Sequence, residues 1–132
     1  MKHLAIGMLA LVACLSAGTA IAGSVALKSD QELCESAPPL DKAALLQARR
    51  NGKIVALDVT AELNCAYVPD KPELREWRNA VTVILPTKSS SGAAAACLCQ
   101  HRLTFEIKDL YEGAKTIYYV QDGTVLGHVD AP

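Results

Sequence analysis

The chain has 132 residues, of which 51% are hydrophobic and 20% charged, and its formal net charge is −1 at pH 7. This length requires no more than one domain with one hydrophobic core. The near-neutral mixture of charges gives no electrostatic reason to expect a nucleic acid or an anionic membrane surface as the partner.

The first 22 residues predict a signal peptide. Lys2 supplies a positive start, residues 4–15 are almost entirely apolar, and Ala20 and Ala22 place small residues where signal peptidase reads the chain. A membrane-spanning helix needs about 20 apolar residues without interruption, so this run is too short to be one. We therefore expect export to the periplasm of a Gram-negative bacterium, or secretion, and a mature form that starts at Gly23 without a transmembrane segment.

A second processing route is open at Cys14. The residues Leu11-Val12-Ala13-Cys14 have the form of a lipobox, in which the cysteine is lipidated and becomes the new N-terminus. The following residues, 15–22, are typical of a continuing signal peptide rather than of a polar tether. We therefore favour cleavage after Ala22 and keep a membrane-anchored lipoprotein as the alternative.

The mature chain retains four cysteines, Cys34, Cys65, Cys97 and Cys99. An even number of cysteines in an exported domain predicts two disulfides. A bond between Cys97 and Cys99 is the least favoured, because alternate residues of a strand lie near the upper limit of the Cα separation that a disulfide allows. Cys65 is then expected to bond Cys97 or Cys99, and Cys34 the other one.

The N-terminal part of the mature chain has mixed signals. Residues 23–39 predict an arm with one short strand at 25–28, and residues 40–132 predict a single β-rich domain. Residues 41–52 are compatible with two structures. Asp41 can cap a short helix that ends at Gly52, or Asn51 and Gly52 can form the two-residue turn of a hairpin.

The remaining chain has the period-two pattern of half-buried strands. We predict strands over residues 53–65, 79–85, 97–108, 116–121 and 124–129, with a hairpin turn at Asp122-Gly123. Residues 67–78 predict a loop or a short helical turn, and residues 88–96 a mobile connection. The fold class is therefore mainly β, as a small antiparallel sandwich or open barrel stapled by disulfides, with a possible short N-terminal helix.

One strand concentrates side chains that can bind a metal. Alternation places Cys97, Cys99 and His101 on the same face of it, and Cys65 lies on the inner face of another strand. Sulfur and imidazole ligands suit zinc or copper, but same-face neighbours on a strand start almost 7 Å apart and an exported chain favours disulfides. We predict structural disulfides and no cofactor, with a copper or zinc site as the alternative and His101 as a hydrogen-bonded core residue.

The sequence contains no catalytic motif that we can identify, and we do not expect an enzyme. The aromatic residues Trp77, Tyr67, Tyr118 and Tyr119 are candidate contacts for a partner, since aromatic side chains often anchor interfaces. The simpler interpretation puts Tyr118 and Tyr119 on opposite faces of one strand and Trp77 over an open sheet edge.

With Cys65, the Cys97-x-Cys99 pair and the pattern Leu103-x-Phe105-x-Ile107-x-x-Leu110-x-x-Gly113 in view, residues 45–120 resemble a group of small bacterial secreted or lipoprotein domains without assigned activity. The resemblance implies an Ig-like β-sandwich and favours the hairpin over the helix at residues 45–63. It leaves Cys34 and the charged segment 67–78 without a counterpart.

Three functions are compatible with these features. The first is a non-enzymatic periplasmic domain that binds another envelope protein through its loops or an exposed sheet edge. The second is a metal-binding protein that uses the Cys97-x-Cys99-x-His101 strand, and the third is an inhibitor of an envelope hydrolase. The first requires oxidised cysteines, whereas the second requires at least two free thiols.

Overall fold

The computed structural model describes residues 23–34, 37–90 and 97–132. The predictions for the signal peptide, for Cys14 and for most of the connection at 88–96 lie outside the described residues. The described chain forms ten strands, which are β1 (Ser24–Glu32), β2 (Ala44–Asn51), β3 (Ile54–Asn64), β4 (Tyr67–Pro69), β5 (Glu73–Trp77), β6 (Ala80–Leu85), β7 (Thr87–Ser89), β8 (Leu98–Lys108), β9 (Thr116–Gln121) and β10 (Thr124–Asp130).

The strands form two four-stranded sheets and a small two-stranded one. Sheet I has the order β1-β8-β3-β2 and is antiparallel throughout, whereas sheet II has the order β10-β9-β6-β5. In sheet II the central strands β6 and β9 run parallel, and the outer strands are antiparallel to their neighbours. Strands β4 and β7 pair separately. The predicted disulfide-stapled β-sandwich is confirmed, and the parallel pair is an addition that residue alternation alone does not reveal.

The core lies between the two sheets and is built from alternate residues of their central strands. Every second residue of β3, β6, β8 and β9 is buried, as period-two packing requires. The largest buried side chains are Phe105 of sheet I and Tyr119 of sheet II, whose ring centroids lie 5.9 Å apart. Aromatic packing across the layer therefore connects the two sheets.

Residues 41–52 settle the choice between helix and hairpin. Asn51 pairs with Ile54, and Gly52 adopts a positive φ of 62°, so β2 and β3 form the hairpin that the Asn-Gly pair predicts. The alternative helix is wrong, because pairing with the long buried strand β3 outweighs the helix preference of single residues. The second predicted hairpin, at Asp122 and Gly123, is confirmed, with φ values of 49° and 81°.

Two other segments differ from their predictions. The arm at 23–39 contains a nine-residue strand, β1, that forms one edge of sheet I, so it extends well beyond the predicted 25–28. Residues 67–78 hold β4 and β5 instead of a loop. Strand β5 is charged and lies at an edge of sheet II, where alternate side chains remain in water, so its pattern carries little hydrophobic signal.

Across the residues that the structure describes, we find no helix with the length and hydrophobicity needed to cross a membrane.

Candidate functional site

Cys34, Cys65, Cys97 and Cys99 form two disulfides at the start of β8. Cys34 bonds Cys99 with a Cα separation of 4.5 Å, and Cys65 bonds Cys97 with a separation of 5.6 Å. The predicted pair of disulfides is confirmed, and the connectivity that the sequence left open is resolved. Two disulfides in so small a β domain are typical of an oxidising compartment outside the cytoplasm.

This pairing bears directly on the candidate metal ligands. Cys65, Cys97 and Cys99 are all disulfide-bonded, and the metal ligand is a thiolate rather than a disulfide sulfur. His101 is close to Cys99 in sequence, but its Nδ1 atom is hydrogen-bonded to a carboxylate. A copper or zinc site at these residues therefore requires the reduced protein and stays a prediction for that state.

His101 is a buried, hydrogen-bonded residue of the core. Its side chain is 2% exposed, and its Nδ1 atom lies 2.6 Å from Oδ1 of Asp30. The register of β1 against β8 shifts between Leu27 and Ser29, and this β-bulge reverses which side chains point inward. The bulge therefore turns Asp30 toward His101, whereas an uninterrupted strand would direct it to solvent. The prediction of a hydrogen-bonded core histidine is confirmed.

A second polar group in the core is the hydroxyl of Tyr119. It donates to Oε1 of Gln121 at 2.7 Å, and the Gln121 amide donates to the carbonyl of Glu62 at 3.0 Å. Burial raises the pKa of the Tyr119 phenol well above its usual value, and the negative charges of Asp122 and Asp30 raise it further. Tyr119 is therefore held in its neutral, hydrogen-bonding form.

This raised pKa predicts alkaline destabilisation. Below about pH 10, the usual pKa of tyrosine, the phenol is neutral in both the folded and the unfolded chain, so the stability contribution is complete. Above about pH 10 the unfolded chain loses this proton first, so stability falls as pH rises. We expect urea unfolding between pH 9 and 11.5 to show a flatter decline for Tyr119→Phe than for wild type, with Tyr118→Phe as the control that behaves like wild type. Parallel declines for all three proteins would contradict this prediction.

The outer face of sheet II carries a group of apolar side chains among polar ones, which include Arg75, Thr82 and Thr116. Since Val81, Val83, Leu85, Ile117 and Tyr119 point into the core, their neighbours point outward. The cross-strand pairs place Trp77 beside Ala80, Ile84 beside Val120, and Val120 beside Val125. We call this surface the sheet II face and define it by its six apolar residues, Trp77, Ala80, Ile84, Tyr118, Val120 and Val125.

The outer face of sheet I has the opposite character. The outward residues of its central strands are mostly polar or charged, and include Asp58, Thr60, Arg102, Thr104 and Glu106. Asp58 accepts hydrogen bonds from Arg49 at 2.7 Å and from Thr104 at 2.9 Å. Within the described chain, the centre of the outer face of sheet I is therefore mostly polar, and its exposed apolar residues Leu45, Ile54 and Leu98 lie on β2 or at strand ends.

Trp77 forms one corner of the sheet II face and is 73% exposed. It lies at the end of β5, beside the two-residue turn to β6, and the Arg78 guanidinium lies 5.6 Å from the centroid of its ring. Two hydrogen bonds from the segment between β8 and β9 fix this turn. The Tyr111 hydroxyl donates to the carbonyl of Arg78, and the Lys115 amide donates to the carbonyl of Asn79 at 2.7 Å. The backbone that presents Trp77 is thus held in place.

Val125 lies on the opposite strand of the sheet II face and is 61% exposed. Between the two corners, Tyr118 packs against the His128 ring at a centroid distance of 5.5 Å. Polar side chains occupy the outer strands, with Arg75 on β5 and Asp130 on β10. The result is an apolar and aromatic centre bordered by charge.

The predicted aromatic contacts separate into two groups. Trp77 and Tyr118 lie on the sheet II face, whereas Tyr119 is in the core and Tyr67 is half-buried in β4. The opposite-face prediction for Tyr118 and Tyr119 is confirmed. Sequence reasoning missed Ile84, Val120 and Val125, although β6 and β9 carry apolar residues on both faces, which is the available signal.

Comparisons with protein-family models, with curated proteins and with solved structures found no match. The resemblance to small secreted or lipoprotein domains therefore stays a prediction.

Proposed function

We propose that this protein is a non-enzymatic, protein-binding domain of the periplasm, and that its sheet II face is the contact surface for another envelope protein. The observation that carries the proposal is the exposed Trp77 on a fixed turn, next to an apolar sheet face. Exposed tryptophans on preorganised backbone are typical of the few residues that dominate binding energy.

The composition of the face supports a protein as the partner. The centres of protein interfaces are rich in aromatic residues and poor in Lys, Glu and Asp, and their rims are polar. The sheet II face has Tyr118 and Val120 on its central strand β9, the exposed Trp77 at one corner, and Arg75 and Asp130 on its outer strands. The complementary surface is an apolar patch on a folded partner that has a pocket for the Trp77 ring.

The sheet edges are less suited to contact than this face. An open edge can add a strand from another chain, but charges that point inward and β-bulges protect edges from such pairing. Strand β1 has both, in the bulge after Leu27 and in Asp30. Strand β10 has a bulge between Val125 and Gly127, and it lies close to β2 there. We therefore favour contact through the face over the loop or edge contacts that the sequence suggested.

Site-specific photocrosslinking tests this proposal in cells. We would introduce a benzoylphenylalanine at Trp77 or Val125 on the sheet II face, and at Leu98 as the matched control. Leu98 is 65% exposed and lies on the outer side of sheet I, so its exposure matches that of Val125. We expect one discrete protein adduct from both sheet II positions and none of that mass from Leu98.

Reconstitution then decides the role of Trp77. The purified partner should bind the wild-type domain, and Trp77→Ala should weaken binding by at least tenfold, which is about 1.4 kcal/mol and within the range of tryptophans that dominate interfaces. The melting temperature should be unchanged, because Trp77 is exposed. Equal crosslinking at Leu98, an adduct only with a second copy of this chain, or unchanged affinity of Trp77→Ala would each overturn the proposal. A hydrolase as the captured partner would support the inhibitor hypothesis.

A further inference from the structure

A cleft crosses β2 on the side of the molecule away from Trp77. One part, of about 550 Å³, lies on the outer face of sheet I between Leu45, Thr60 and Arg102. A second part, of about 320 Å³, lies between β2 and β10 and is bordered by Lys42 and Leu126. Leu45 and Leu46 line both parts, so the two are adjacent, and we call them together the β2 cleft.

The β2 cleft combines positive charge with apolar surface. Lys42 stands at one end and Arg102 at the other, and within the described chain neither has an ion pair or a hydrogen bond. The one acidic lining residue is Asp58, and Arg49 and Thr104 occupy its two oxygens. Lys42 and Arg102 are therefore available to a ligand, whereas the Asp58 carboxylate is already paired with Arg49.

The spacing of these groups follows from the strand register. Arg102 pairs across the strands with Thr60, and Thr60 pairs with Leu45, so a guanidinium, a hydroxyl and an exposed apolar side chain form one row. Beyond the edge of β2, Leu126 and Lys42 line the second part of the cleft, which also borders Leu45. An extended chain that occupies both parts would therefore have Arg102, the Leu45 side chain and Lys42 within its path.

We propose that the β2 cleft binds an extended acidic peptide segment of a partner protein, in which two carboxylates flank an apolar side chain. Arg102 binds one carboxylate with its planar N–H donors, Lys42 binds the other, and the apolar side chain packs on Leu45. The second part of the cleft reaches His128, which packs against Tyr118 of the sheet II face, but the proposed contacts with Arg102, Lys42 and Leu45 use no residue of that face.

Fluorescence anisotropy with synthetic peptides tests the proposal. The probe is a labelled octapeptide of alternating glutamate and leucine, and the comparison peptides carry glutamine or lysine in place of glutamate. We expect saturable binding of the glutamate peptide alone, weaker at high salt because the charges are exposed. Arg102→Gln and Lys42→Gln should each weaken binding by about two- to fivefold, as exposed ion pairs do, and the double variant by the product of both.

Matched controls come from exposed cations elsewhere on the chain. Lys53→Gln, in the turn between β2 and β3, and Arg75→Gln, on β5, should leave the affinity unchanged. Equal binding of the glutamine peptide, or an unaffected double variant with a normal melting temperature, would overturn the acidic-segment assignment. Trp77→Ala should leave peptide binding intact, so failure of this proposal and failure of the sheet II contact are distinguishable.

Discussion

Removing the Cys34–Cys99 disulfide with a Cys34→Ala, Cys99→Ala double substitution should lower the free energy of unfolding by about 4 kcal/mol. The bond joins residues 65 positions apart, and closing a loop of that length restricts the unfolded chain by roughly this amount in the chain-entropy model. Domains of this size have a total stability of about 5–15 kcal/mol. The variant should therefore lose a large share of its free energy of unfolding, which is measurable as a lower urea concentration at the unfolding midpoint.

Loss of this disulfide should also loosen β1 locally, because of where the bond lies. Cys34 follows β1, and Cys99 is 2% exposed within β8, so the bond fixes the end of an edge strand to the centre of sheet I. Hydrogen exchange should accelerate along β1 in the variant more than along β3. Unchanged stability, or uniform acceleration across sheet I, would show that β1 is held by its pairing and by the Asp30–His101 contact alone.

The central strands were predictable because burial of one face produces an alternating pattern of hydrophobic residues in the sequence. β3 and β8 each alternate over eleven residues, and the Asn51-Gly52 and Asp122-Gly123 turns use residues that tolerate positive φ. These signals are local, and a period of two requires only that one side of the strand be buried. The strand content and the sandwich follow from them.

Most of the features that were missed depend on weak burial or on contacts between distant segments. β1 and β5 lie at sheet edges, where weak burial leaves little periodic signal; β1 pairs with the remote strand β8, and β5 is itself largely charged. The bulge that directs Asp30 to His101 is a property of the β1–β8 register and has no sequence signature of its own. The disulfide connectivity likewise depends on which strand ends meet in space.

The candidate site was predictable only in part, for a related reason. Trp77 and Tyr118 stood out as residue types, but the sheet II face also requires that β6 and β9 be neighbours. This parallel pairing joins Ile84 to Val120, and neither residue is conspicuous in the sequence. An interaction face on a sheet is thus a product of topology, and period-two analysis of single strands does not assemble it.

The second large effect concerns the Cys65–Cys97 disulfide, which should be the first to be reduced in the folded protein. Cys65 and Cys97 are both exposed, whereas the other disulfide joins the exposed Cys34 to the buried Cys99, so only one of its two sulfurs belongs to an exposed residue. Thiol–disulfide exchange requires access of the attacking thiolate to a sulfur atom. We expect graded dithiothreitol followed by alkylation and peptide mass spectrometry to label Cys65 and Cys97 well before Cys34 and Cys99.

Loss of this bond should also be costly, because it joins residues 32 positions apart. The chain-entropy model gives about 3.7 kcal/mol for a loop of this length, so a Cys65→Ala, Cys97→Ala variant should unfold at a clearly lower urea concentration than wild type. The control for the dithiothreitol experiment is reduction in 6 M guanidinium, about the range that unfolds even very stable domains. Both disulfides should then be labelled together. Labelling of Cys34 and Cys99 at the same rate in the folded protein would mean that the start of β8 opens as a unit. Selective labelling with retained β structure would instead show that the Cys34–Cys99 disulfide is enough to hold sheet I together after the Cys65–Cys97 disulfide has been reduced.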